Sequence, residues 1–283
     1  MVRLRALVIA AHPGPSLAIT AMATVLAAEA APHGIGPLLT APAVLAGQFS
    51  IGWSNDACDA PRDIAAGRGD KPAARGEVSV RALWVAAAVA AVAGLALSAT
   101  ISPLTLAWNA LLIAPGWAYN LGLKSTPWSG LMYLLGFAPL PALAASTLPG
   151  SPAPRVVVCV AAALVGLGAH FVNVLPDLTA DLDAGVRGLP QLVAARWGPG
   201  AARGAALALL LGASVLLVVA ASPGRRWIAL AGLGCSALLA VAGALGGGRT
   251  PFRAALAIAG VDVAVFVAGA EALTAAHLTG LGG

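Results

Sequence analysis

Two short acidic patterns stand out in a chain of 283 residues that is otherwise nearly free of charge. Each reads Asn-x3-Asp-x3-Asp: Asn55, Asp59 and Asp63 in the first copy, and Asn173, Asp177 and Asp181 in the second. The whole chain holds only 4 Asn and 8 Asp, so the triplet is not expected to recur by chance. On a helix, positions i, i+4 and i+8 share one face, so each copy would stack three oxygen-bearing side chains in a row. The donors are all hard oxygens with no histidine or thiolate cluster beside them, which favours magnesium over zinc or copper. Magnesium takes one or two carboxylates and completes its shell with water and substrate phosphates. Two facing rows would therefore grip a metal-bound diphosphate.

Cations accompany the rows. Arg68 and Lys71 follow the first, Arg187 follows the second, and Lys124 lies between them in the chain. Lys71 and Lys124 flank the predicted site and are read as diphosphate contacts, whereas Arg75, Arg81, Arg196 and Arg203 are read as topological charges. A merely solvated helix end accounts for Asp56, Asp70 and Asp183, which lie off the rows. It does not account for the rows themselves. A carboxylate near mid-membrane costs about 2.5–3.5 kcal/mol, so four converging ones must face a polar chamber and be neutralised by cations.

The elements that carry these residues are apolar helices. The chain is 59% hydrophobic and 10% charged, with a mean hydropathy of +0.89. A soluble domain carries about 25% charged residues, so the composition is that of a polytopic membrane protein. The stretches 6–28, 30–55, 82–123, 125–154, 156–176, 204–224 and 227–248 contain no Asp, Glu, Lys or Arg. Each reaches the roughly 20 residues of a span, and 82–123 holds two, divided at Ser102-Pro103 where proline breaks the helical ladder. With a last segment containing Asp262 and Glu271, the pattern predicts an all-α protein of nine transmembrane helices: 13–31, 36–56, 80–101, 103–121, 128–148, 155–176, 203–221, 226–246 and 252–273. They form one domain over 1–283, around a central cavity and with polar cap loops at 57–79 and 177–202.

Met1 to Arg5 makes a basic start, but the stretch that follows is broken by His12-Pro13-Gly14-Pro15 and runs on as a span rather than a cleavable signal. With the amino terminus inside, the cytoplasmic segments hold thirteen of the 16 basic residues and the outer ones only Arg155, Arg225 and Arg226. This is the positive-inside distribution of a multi-pass protein of the cell membrane, and it puts both acidic rows at cytoplasmic helix ends. The net charge of +5 thus reflects topology and contact with membrane lipids rather than nucleic acid binding. Cys58, Cys159 and Cys235 are scattered and read as packing residues. Trp108, Trp117, Trp128 and Trp227 fall near span ends and read as an interfacial belt. His170, within a span, reads as a packed residue. Asp262, as an intramembrane acid, is a functional candidate by position.

The motifs also resemble a known family. Asn55-Asp56-x2-Asp59-x3-Asp63 is similar to the acidic helix end of UbiA-type intramembrane prenyltransferases, and Asp70-Lys71-Pro72 with Gly76-x-x-Ser79 is similar to its continuation. Tyr119 and Lys124 resemble the tyrosine and lysine of the loop after helix four. Asn173-x2-Pro176-Asp177-x3-Asp181 and Gly185-Val186-Arg187-Gly188-Leu189-Pro190 resemble the second motif and its tail. The resemblance implies magnesium-dependent transfer of an isoprenyl group from a prenyl diphosphate donor to a lipophilic or aromatic acceptor. It implies that Asn55, Asp59, Asp63, Asp177 and Asp181 hold magnesium, the four aspartates being catalytic. It further implies that Arg68, Lys71, Tyr119 and Lys124 contact the diphosphate, with Asn173 beside them. Two positions depart from the pattern: Asn120 replaces a small hydroxyl residue, and His12-Pro13 stands where many members have Arg-Pro. A related cyclase would share every metal ligand, while a transporter fits less well because the acids gather at one membrane face.

Overall fold

A computed structural model describes residues 4–30, 35–65, 67–183 and 185–269. Its described residues are built from helices alone: α1 (Leu4–Ala10), α2 (Pro13–Ala30), α3 (Ile35–Ala65), α4 (Val80–Ile101), α5 (Pro103–Asn120), α6 (Ser129–Phe137), α7 (Pro139–Ser146), α8 (Val156–Val174), α9 (Leu178–Asp183), α10 (Leu189–Trp197), α11 (Pro199–Ala220), α12 (Arg226–Leu245) and α13 (Thr250–Ala268). Seven helical stretches are long and apolar enough to cross a membrane, with α6 and α7 together making one of them. The pair α1 and α2, bent by 67° at its break, makes an eighth.

Sequential helices pack side by side from α2 through α8, then α8 against α11, α11 against α12 and α12 against α13. α13 returns to α2, so the circuit of contacts closes on itself. Close approach depends on small residues. A Cβ on Gly94 of α4 would stand 2.8 Å from the Ala43 carbonyl oxygen of α3, nearer than two such atoms can come. Beside it the buried Asn109 amide of α5 donates to Ser98 Oγ at 2.8 Å and to the Ala43 carbonyl at 3.3 Å, which ties α3, α4 and α5 together. Hydrogen bonds between helices satisfy polar groups that lipid cannot.

The helix boundaries follow local chemistry. Ser102 caps α5, its hydroxyl accepting from the Thr105 amide at 3.0 Å, and Pro103 takes the first turn, where its missing N–H costs nothing. Pro139 divides α6 from α7 inside the span predicted for 128–148. The stretches predicted to end at 31 and 273 run beyond the described residues, as do Arg3 and Glu271. Two of the four tryptophans near span ends are tied into the protein. The Trp117 indole donates to Ser50 Oγ at 2.7 Å and its ring lies 5.9 Å from Trp84, while Trp108 packs against the core. Trp128 and Trp227 are exposed.

Candidate functional site

The first acidic row lies on a single helix. α3 does not stop near residue 56 but continues to Ala65, so Asn55, Asp59 and Asp63 occupy its last three turns on one face. Pro61 sits within it without breaking the row. Asn120, buried at the end of α5, fixes the first member. Its amide donates to Ser54 Oγ at 2.8 Å and to the Ile51 carbonyl at 2.9 Å, and its Oδ1 accepts from Asn55 Nδ2 at 3.1 Å. That arrangement leaves Asn55 Oδ1 as the free oxygen. Asp59 Oδ1 accepts a short hydrogen bond from Lys124 Nζ, and Arg62 approaches the same oxygen at 3.6 Å. Asp63 is buried.

The second row is not a continuous helical ladder, contrary to the expectation from spacing. Pro176 cannot continue the ladder and α8 ends at Val174, so Asn173 lies on α8, Asp177 in the turn and Asp181 on α9. Asp181 N bonds back to the Asp177 carbonyl at 2.8 Å, which keeps the two acids one turn apart. Asn173 and Asp177 are exposed. Asp181 Oδ2 accepts from Gln191 Nε2 of α10 at 2.8 Å.

Arg68, Tyr119 and Lys124 are held by different partners. The Arg68 guanidinium donates twice to Asp70, at 2.9 and 2.7 Å. That pair raises the Arg68 pKa and holds the Asp70 carboxyl below the usual carboxylate range, and Asp63 and Asp177, one from each row, add to the effect on Arg68. Tyr119, on the last turn of α5, packs edge-on against Tyr133 and His170, with ring centroids 5.4 and 5.8 Å away. The Lys124 turn is stitched to the second cap segment. A Cβ on Gly188 would fall 2.9 Å from the Lys124 carbonyl, and Ser129 Oγ accepts from the Leu189 amide at 2.8 Å. Thus Lys124 is carried by a loop that touches the tail of one row while its amine binds the other.

Among the described residues, no three His, Cys, Asp or Glu side chains form a compact cage for a metal ion. The carboxylates stand singly or in pairs, beside amides and lysine or arginine. A hard cation that takes one or two carboxylates and keeps its waters fits this donor set, and a zinc-type site of nitrogen and sulfur ligands does not.

Asp56 requires a correction. It is not a solvated helix end but is 2% exposed, with Oδ1 at 2.8 Å from both Lys71 Nζ and His12 Nε2. Lys71 therefore engages Asp56 rather than the row itself. Neither partner is close in sequence, and spacing alone could not have found the contact. Gln191 was also missed, although a lone amide inside the apolar stretch Leu189–Val193 is the signal for it. His170 is packed as expected. It is 1% exposed, 3.0 Å from Ser129 Oγ and stacked on Tyr133 at 4.4 Å. Asp262 is buried far from the rows in sequence, accepting a short hydrogen bond from Ser214. Two small apolar clefts include none of the row residues in their lining; the first is lined by Val158, Leu217 and Phe266 and the second by Met22, Phe137 and Asp262.

The family model described as the UbiA prenyltransferase family matches residues 16–257. No sequence match is found among curated proteins. Among solved structures, the chain is similar to a digeranylgeranylglyceryl phosphate synthase, with a TM-score of 0.71 at 16% identity over 94% of this chain and 98% of that one. It is similar to a UbiA homologue from Archaeoglobus fulgidus bound to GPP and Mg2+, with a TM-score of 0.71 at 15% identity over 94% and 99% of the two chains. It also resembles the apo form of a UbiA homologue from Aeropyrum pernix K1, with a TM-score of 0.67 at 20% identity over 95% and 99%.

Proposed function

Because the chain belongs to the UbiA prenyltransferase family, we propose that it transfers an isoprenyl group from a prenyl diphosphate to an aromatic or other lipophilic acceptor, with magnesium, releasing diphosphate. The observation that carries this reading is that Lys124, whose amine pairs with Asp59 of the first row, sits on a turn packed against Gly188 in the tail of the second. The Archaeoglobus fulgidus homologue is found with GPP or DMAPP together with Mg2+, which supports the same donor class here.

In this reading Asn55, Asp59, Asp63, Asp177 and Asp181 hold magnesium, which when bound supplies Lewis-acid stabilisation of the leaving diphosphate. Arg68, Lys71, Tyr119, Lys124 and Asn173 contact the diphosphate oxygens. Asn120 orients the Asn55 amide so that its carbonyl oxygen is the ligating atom. Lys124, paired with Asp59, stands ready to exchange that carboxylate for a phosphate oxygen. As the allylic carbon–oxygen bond breaks, its electron pair leaves with the diphosphate, and the lysines and Arg68 stabilise the charge gathering there. The apolar helix walls exclude water from the allylic cation until the acceptor attacks it, and the acceptor then loses its proton. In the same reading the bent pair α1 and α2, the seven further spans and α5 would be the nine crossings of one domain over 1–283. The distribution of basic residues supports an amino terminus and a site on the cytoplasmic side of the cell membrane.

The test is to incubate purified protein with magnesium, labelled prenyl diphosphates of increasing length and a panel of acceptors. The expected result is a prenylated product that requires both acceptor and magnesium. A closed hydrocarbon formed without acceptor would reassign the chemistry to cyclisation, and failure to consume any diphosphate would remove the reading.

A further inference from the structure

We infer that Asp56 is a positioning residue: it holds Lys71 at the diphosphate site by fastening the first cap loop and the α1–α2 break to one buried carboxylate of α3. The inference rests on the reading above that Lys71 contacts the diphosphate. Asp56 follows Asn55 and is therefore turned about 100° away from the acidic row on the helix. The face it occupies is already crowded. A Cβ on Gly52, one turn earlier, would fall 2.4 Å from the Ala11 carbonyl oxygen, and the Trp53 indole donates to the Leu7 carbonyl at 2.8 Å. α1 is thus strapped across α3, and the break that follows presents His12, whose backbone is left-handed with φ 51°. Histidine accepts that conformation more readily than most residues.

One oxygen joins the three segments. Asp56 Oδ1 accepts from Lys71 Nζ at 2.8 Å and lies 2.8 Å from His12 Nε2, and the two nitrogens are 3.5 Å apart. The Lys71 side chain is 18% exposed, against 50% for Arg68 three residues earlier. A lysine on a flexible four-carbon stem loses considerable rotamer freedom when pinned, so a buried partner is what keeps it in place before substrate arrives. A buried carboxylate with two nitrogen partners is stable only as a set, and removing its charge releases the lysine.

The chain contains only two lysines, Lys71 and Lys124, which makes the test direct. Amine-labelling rates of both are measured by mass spectrometry in the wild type and in Asp56→Asn. Lys71 should label several-fold faster in the variant while Lys124 is unchanged. In parallel, donor kinetics and inhibition by inorganic diphosphate are compared for Asp56→Asn, Lys71→Ala and the double variant. Each single change should lower kcat/KM for the donor about tenfold, chiefly through KM, and the double change should be no worse than Lys71→Ala alone. Asp56→Glu, which keeps the charge, should recover part of the loss. Additive losses, an unchanged KM, or equal acceleration of labelling at both lysines would overturn the inference. A wild type with no magnesium-dependent transfer would instead sink the reaction assigned above, and the labelling comparison would still judge Asp56.

Discussion

Asp59 of α3 and Lys124 of the turn after α5 form an ion pair at the acidic end, at 14% and 19% side-chain exposure. A pair this sheltered is weakly screened by salt, and breaking it leaves a charge that seeks another partner. Lys124→Ala should therefore raise the donor KM about tenfold or more, in line with the roughly 1.5–3 kcal/mol of a charged hydrogen bond, as read from a donor titration. Asp59→Ala and Asp181→Ala should each lower turnover at least about a hundredfold while the protein stays monodisperse in detergent. The exposed Arg68–Asp70 pair responds to acid with a defined sign. Because Arg68 holds the Asp70 pKa down, its contribution to loop order is complete above the ordinary aspartate value of about 4 and is lost only as pH falls through the lowered folded value. Asp70→Asn should accordingly increase proteolysis of segment 67–79 at neutral pH, and the difference from wild type should vanish in strong acid. The sequence revealed the acids through a spacing that composition made improbable. It concealed what Asp56 does, because the partners at 12 and 71 are brought to it by the helix break and the cap loop.

The two rows are built differently although their spacing is identical. α3 runs unbroken through Asn55, Asp59 and Asp63, whereas α8 ends before Pro176 and the second row resumes on α9. Proline position decides between these outcomes. Pro61 falls where α3 tolerates it, but Pro176 follows directly on the last turn of α8 and cannot supply the N–H that would carry the helix on. Helix existence and the boundary at Ser102-Pro103 were legible in the uncharged runs. The extension of α3 by nine residues past 56 was not, because its last turns are polar and hydropathy alone ends the span too early. Packing at element level also turns on glycine. Gly94→Ala would place a methyl 2.8 Å from a backbone oxygen of α3, and Gly52→Ala would place one 2.4 Å from a backbone oxygen at the end of α1. Both contacts are with main chain, which cannot rotate aside. Each substitution should lower the detergent melting temperature by several degrees, and Gly52→Ala should also weaken donor binding by displacing His12 and Lys71.

Across the whole molecule, thirteen of 16 basic residues are predicted to face the cytoplasm, and the segments carrying the acidic rows are among the most basic. In a cysteine-free background, a cysteine at Gly69 should react with an impermeant maleimide only in inside-out vesicles, and one at Gly224 only in right-side-out cells. The reverse pattern would invert the topology and put the site outside. The fold class was legible because a bilayer admits few backbone solutions, and apolar runs separated by charge spell out helices. The circuit that brings α13 back to α2 was not legible, since it joins helices from opposite ends of the chain and no local pattern records such a contact. In the proposed reaction the assembly matters chemically for one reason: the ends of α3 and α8 would share one ligand, so that neither row acts alone. Magnesium-dependent binding of a non-hydrolysable prenyl thiolodiphosphate, measured by calorimetry on wild type, Asp63→Ala and Asp177→Ala, tests this most directly. Binding should be tight in the wild type and lost by at least about tenfold when either row is altered. Full affinity retained after loss of Asp63 or of Asp177 would show that the rows do not share a ligand.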